Sequence, residues 1–432
     1  MADWFNEVTW TVVAAFATLN LLVLLYASDT RAGAWLRPRV LRSLRFLSGR
    51  EDLEWLDWLP VTVAVGAGFA AVSAYGIATG QYGCQPVVVS DPVSVLSSGR
   101  AFWAGTDPFR VASCGGYANV PNGLASVLIS AVGSLGNLPG IYLVWGAVAV
   151  SVLPLAWALA GSDRRLVMTY VGTSILLLPL ISAQIDGATN AIVPVAVLLA
   201  LLLARRSELL GAAVGGFLAT ARFPTVFPLL GATGGNRRLR YAAFATVAVS
   251  FGVFTAVSYL VWGSDFLEIV FFSQLGRRSF SLNLYGVFLL QNALPSSTSL
   301  EAVQAALTLA LVLVVFWRVR SPVRSAVIVL TGIALLTPFL SFDILVWLLP
   351  LALAGARARW WLWGVALVGA INYDLALSVW AWNDGVTWPS SILDVVLTIL
   401  LLGLFIDLWR QDDRREVSSH FSGVVERTAP RA

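Results

Sequence analysis

Long apolar runs, each close to the length needed to cross a bilayer, follow one another along almost the whole chain, and the charges are confined to the gaps between them. Of 432 residues, 58% are hydrophobic and only 12% are charged. That leaves too little polar surface to clothe a water-facing shell, so lipid must cover most of the folded exterior. In lipid the backbone has to satisfy its own hydrogen bonds, and runs of this length can do so only as helices. The expected fold class is therefore all-α, a polytopic transmembrane helical bundle.

All 28 basic residues are arginine, which removes Schiff-base and lysine-base chemistry. The net charge of +4 does not point to nucleic acid, because most arginines occupy short inter-helix loops where the positive-inside rule accounts for them. With a single histidine, His420, and two cysteines, a protein-built zinc or di-iron centre is not expected, and no cofactor is assigned.

The arginines also orient the spans. Val8 to Ala27 is long enough to cross and is followed by arginines rather than a small-residue cleavage site, so it is expected to be a retained anchor. The loop behind it, Arg31 to Arg50, belongs in the cytoplasm, with the N-terminus outside. Leu59–Thr79 then runs outward, Gly140–Ala160 inward, Leu166–Ser182 outward and Ala188–Ala204 inward to Arg205 and Arg206.

After Glu208 the chain rises to a break at Arg222-Phe223-Pro224. Only about a dozen residues separate that break from Arg237, too few for two crossings, so a broken or re-entrant pair is expected. Leu239–Leu260, Leu300–Trp317, Val323–Leu340, the short arm Ile344–Ala354, Trp360–Ser378 and Ser391–Leu408 complete about 13 membrane segments, N-out and C-in. The division is a first helix with its basic loop (1–58), a core (59–408) and a polar cytoplasmic tail (409–432). Two external loops, about 80–139 and 261–299, exceed any connecting need. Within the first, Pro92–Trp103 and Asn122–Leu135 have the character of helices lying in the interface plane.

Candidate chemistry gathers on the outer side. Asp91, Asp107, Asp186 and Asp343 sit there, the last two at or just beyond expected helix ends, where an unpaired acid is expensive and a functional role is favoured. The plainer alternative for Asp91, followed by Pro92, is a helix N-cap. Asp107, in Gly105-Thr106-Asp107-Pro108-Phe109, has the local chemistry of a turn. Cys84 and Cys114 could form a disulfide in an oxidising compartment, or remain two buried thiols. Arg100, Arg110, Arg277 and Arg278 break the positive-inside trend. Arginine forks suit phosphate, while snorkelling to headgroups explains any one of them equally. Arg222, between hydrophobic half-helices, needs an anionic partner, such as a substrate or Asp186.

The order of these elements resembles glycosyltransferase family 87, polyprenyl-phosphate-dependent mannosyltransferases of the GT-C group. The matching elements are Asp91, then Gly105 to Phe109, then the stretched Tyr117 to Leu124. Ala183-Gln184-Ile185-Asp186 with Asn190 is similar to the family's Gly-Gln-x-Asn element, and Arg222-Phe223-Pro224 to its Lys-x-x-Pro element. Thr337 to Asp343 is similar to a late Ser-Pro-x-Ser-Trp-x-His pattern, with Asp343 approximately where histidine is usual.

The resemblance covers roughly Leu59 to Leu408 and implies a GT-C bundle in the cell membrane with its active site on the extracytoplasmic face. It implies a polyprenyl-phosphate sugar donor, transfer of mannose, a lipid or glycan acceptor, and no metal. In that reading Asp91 takes the acceptor proton and Arg222, or Arg277 and Arg278, holds the donor phosphate. Asp107, Gln184, Asp186 and Asp343 line the pocket. A lipid-linked donor also explains the lack of any Gly-rich nucleotide loop. The rival expectations are a transporter or lipid-linked sugar flippase, for which broken helices also occur, and a non-catalytic assembly subunit.

Overall fold

The computed structural model describes residues 31, 34–36, 38–39, 42, 90–109, 123–159, 191–233, 237–267, 298–336, 347–348, 351, 361–362, 364–365, 368–369 and 388–411. Among them there are helices and turns but no strand. In chain order the helices are α1 (Ser90–Trp103), α2 (Leu124–Ser134), α3 (Asn137–Leu159), α4 (Ile192–Ala204) and α5 (Glu208–Ala219). A 3-10 turn (Phe223–Thr225) leads to α6 (Val226–Gly231). There follow α7 (Arg237–Trp262), α8 (Ser264–Leu267), α9 (Thr298–Arg318), α10 (Pro322–Leu336) and α11 (Trp388–Arg410). Helices α3, α4, α7, α9, α10 and α11 therefore lie within a few residues of segments expected to be helical, and two of them, α7 and α11, are long and apolar enough to span. The expected spans at Val8–Ala27, Leu59–Thr79 and Leu166–Ser182 lie outside the described residues.

The helices show the composition of elements packed in lipid. Leu239–Trp262 and Ile392–Arg410 are long and apolar enough to cross a membrane. α11 buries Leu397, Leu401, Leu404 and Leu408 while Ile392, Val396, Ile399 and Leu402 are exposed. An apolar inward stripe with an equally apolar outward face calls for lipid on the outside. α10 is the innermost helix, buried from Arg324 through Ala334, and packs against α6, α9 and α11. The short α6 thus joins the C-terminal helices to α7, which packs along α5.

Three arginines close helix C-termini at one end of the bundle. Arg205 donates to the carbonyls of Ala158 (2.9 Å) and Leu159 (3.3 Å) at the end of α3. Arg240 donates to Val319 after α9 (2.7 Å), and Arg324 to Gln411 after α11 (2.6 Å). Each guanidinium meets carbonyls that have no partner inside their own helix, at the negative pole of the helix dipole. This is the end where the charge bias puts the cytoplasm.

The expected broken arm is present. α5 begins at Ser207, whose hydroxyl accepts from the Leu210 N–H, an ordinary N-cap. It stops after Ala219, Arg222 turns extended (φ −153°, ψ 111°), and the chain restarts through Phe223-Pro224-Thr225 into α6. Helix α5 has 12 residues, roughly 18 Å, about half of what a bilayer with its interfaces requires. It runs alongside α7 in the same direction: Ala213 accepts from the Ser250 hydroxyl and Phe217 meets Phe254 edge to face.

Helices α1 and α2 occur where interface-plane helices were expected, and they cross in opposite senses. Gly99 lies against Ser130 and Ser134, Arg100 reaches the Asn137 side chain (2.6 Å), and Trp103 donates to the Ala131 carbonyl (2.7 Å). Ser126, Ser130 and Ser134 recur every four residues on the buried face of α2, a row of small side chains that lets the backbones approach.

Candidate functional site

The Gly105 to Phe109 turn combines two devices. Gly105 has φ +67°, its N–H bonds to Phe102 and the Thr106 N–H to Ala101, so α1 ends in a Schellman motif. Asp107 then accepts the Phe109 N–H through Oδ1 at 2.8 Å, an Asx turn. Phe109 is buried with Val127 of α2 and Phe266 of α8, and stacks edge-on against Trp262. The carboxylate is thereby anchored beside the first turn of α2. Gly105→Ala should lower stability by roughly 1–2 kcal/mol, the cost of a left-handed non-glycine residue, measurable as a lower Tm in detergent.

The same first turn of α2 is fastened to the break after α5. The Ala125 N–H donates to Thr220 Oγ1 (3.2 Å), and Ser126 Oγ donates to the Ala221 carbonyl (2.9 Å). Gly123 passes so close that a Cβ there would collide with the Thr220 carbonyl oxygen. Next along the chain stands Arg222, half-buried, its guanidinium carbon 5.3 Å from the centre of the Trp347 ring. Trp347 is 4% exposed. Arg222 and Asp107 are both engaged in further interactions.

The described geometry thus brings the Asp107 turn, the N-terminus of α2 and Arg222 into one neighbourhood. Asp91 is in the first turn of α1. It is separated from the Asp107 end by roughly 18 Å of helix, and its side chain lies outside the described residues. So do Gln184, Asp186, Arg277, Arg278 and Asp343, as well as Cys84 and Cys114. Arg100, one of the external arginines, is committed to Asn137. Among the described residues no group of three or more His, Cys, Asp or Glu could hold a metal ion.

One acid was missed. Asp394 is 1% exposed on the inward stripe of α11, with an engaged side chain. The pairs Arg324 with Gln411 and Gly332 with Phe405 set α10 and α11 antiparallel. That register carries Asp394 roughly 9 Å past the end of α10. An aspartate inside the apolar run Trp388 to Leu408 was itself the signal, since acids at such depth mark function.

The described residues are helical, two of their helices are long and apolar enough to cross a membrane, and Arg222 stands where one helical arm breaks. The sequence model of glycosyltransferase family 87 matches residues 120–341, and the chain belongs to that family. It is a glycosyltransferase. The matched stretch includes α2, the broken arm and α10. No curated protein and no solved structure matches the chain.

Proposed function

We propose that this protein transfers a sugar, mannose by family analogy, from a polyprenyl-phosphate donor to a lipid or glycan acceptor at the extracytoplasmic face of the cell membrane. The fold is a polytopic GT-C bundle. The observation that carries the reading is Arg222, set at a break between two apolar half-helices and stacked on Trp347. A guanidinium at that depth suits the phosphate of a lipid whose tail arrives through the bilayer.

The chemistry is an inverting displacement. A carboxylate takes the acceptor hydroxyl proton as the acceptor oxygen bonds to the anomeric carbon, and the lipid phosphate leaves with the bonding pair, its charge held by Arg222. Asp91 is the proposed base; Asp186, Gln184 and Asp343 line the sugar or acceptor pocket, with Arg277 and Arg278 as further phosphate contacts. The position of Asp107 beside the fastened end of α2 favours a second assignment, in which Asp107 serves as the base.

Purified protein incubated with radiolabelled polyprenyl-phosphate sugars and a membrane lipid extract should transfer label to an extractable acceptor, mannose most efficiently. Label carried across proteoliposomes with no transfer would instead establish a flippase.

A further inference from the structure

Trp347 holds an indole N–H that nothing accepts. Its Nε1 is buried and has no hydrogen-bond partner, and the same is true of the hydroxyl of Thr225, fully buried three residues after Arg222. An N–H left bare in a lipid-surrounded interior is costly, since no water reaches it from the hydrocarbon side. Trp145 Nε1 is also without a partner. What distinguishes Trp347 is the guanidinium against its ring; Arg39 also lies over an indole, that of Trp35, but this pair is on an exposed stretch.

Arginine has no acceptor atom and cannot satisfy an indole N–H. Two donors of this kind placed together, one of them empty-handed, ask for an acceptor-rich group between them.

We infer that Trp347 is a second phosphate-binding residue, its Nε1–H donating to one oxygen of the anionic lipid headgroup while Arg222 binds another, with the Thr225 hydroxyl at the rim of the same space. A tetrahedral phosphate offers several acceptors and can span both donors; a neutral alcohol offers one oxygen and no charge. The site would therefore select lipid phosphates over the corresponding alcohols. This rests on the proposed role of Arg222 and adds to it the residue that makes the contact directional.

The test uses the full-length protein in detergent, titrated calorimetrically with farnesyl phosphate and with farnesol. The wild type should prefer the phosphate. Trp347→Phe, which keeps the ring under the guanidinium and deletes the N–H, should weaken farnesyl phosphate binding about 10- to 100-fold, as expected for a hydrogen bond to a charged group, and leave farnesol unchanged. Thr225→Val should act in the same direction and less.

If Trp347→Phe keeps the full preference while Arg222→Gln loses it, the inference about Trp347 is overturned and Arg222 stands. If neither variant changes the preference, the phosphate role of Arg222 falls as well. Should Trp347→Phe fail to fold, indole-¹⁵N spectra of the wild type decide. One indole N–H moving downfield with farnesyl phosphate but not farnesol supports the contact, and no movement overturns it.

Discussion

Asp91→Asn is expected to lower sugar transfer by about 10²- to 10⁴-fold, the range for loss of a positioned general base, with donor affinity little changed. Asp91 is the second residue of α1 rather than the N-cap expected from Asp91-Pro92, so asparagine, which matches it in shape, gives up only the favourable interaction of an acid with the helix dipole, about 0.3–1 kcal/mol. A purely structural role therefore predicts near-wild-type turnover. Asp107→Asn is the necessary companion, because its amide oxygen can still accept the Phe109 N–H and keep the Asx turn. Initial rates for both variants against a single lipid-linked donor would assign the base. Loss in Asp107→Asn alone moves catalysis to the turn after α1, beside the fastened end of α2, and full activity in both removes the enzyme mechanism outlined above.

Gly123→Ala should be nearly as damaging, for a different reason. Its methyl group would meet a backbone carbonyl, Thr220 O, which cannot rotate away as a side chain could. Helix α2 would have to lift off the break, straining or losing the bonds from Ala125 and Ser126. Overpacking of this kind typically costs about 1–3 kcal/mol, and each lost hydrogen bond about 1 kcal/mol more. Because Arg222 directly follows Ala221, a displacement near 1 Å could lower turnover on the order of 10²-fold. Ser126→Ala, which removes one bond and adds no atoms, should cost only about 1 kcal/mol. Melting temperature and turnover measured together for the two variants would test the fastening. Gly123→Ala with wild-type values for both would show that α2 is not seated there.

Much of the architecture was legible because lipid imposes simple rules. Among the described residues, runs of apolar residues ending in arginine located most helices to within a few residues, and the shortage of chain between Arg222 and Arg237 was enough to foresee the broken arm. The same arginines turned out to close helix C-termini, a contact that depends on which helices are neighbours and so has no local signature. Asp107 was readable as a turn residue, but its proximity to the break depends on Phe109 packing beside Val127, and the fastening of α2 pairs residues far apart in sequence. Asp394 was visible in the sequence and passed over, because an apolar run invites attention to its ends. Trp347 was hidden among 18 tryptophans that an interfacial belt explains equally well.

The bond between Ser126 and the Ala221 carbonyl links residues 95 positions apart, and the order of synthesis gives that separation a meaning for biogenesis. A ribosome delivers α1 and α2 well before the interrupted segment emerges. When α5 ends, the Ala221 carbonyl left outside its hydrogen-bond ladder finds a hydroxyl already synthesised. Shifting that serine to a later part of the chain would reverse the sequence of events and leave the carbonyl waiting for its partner.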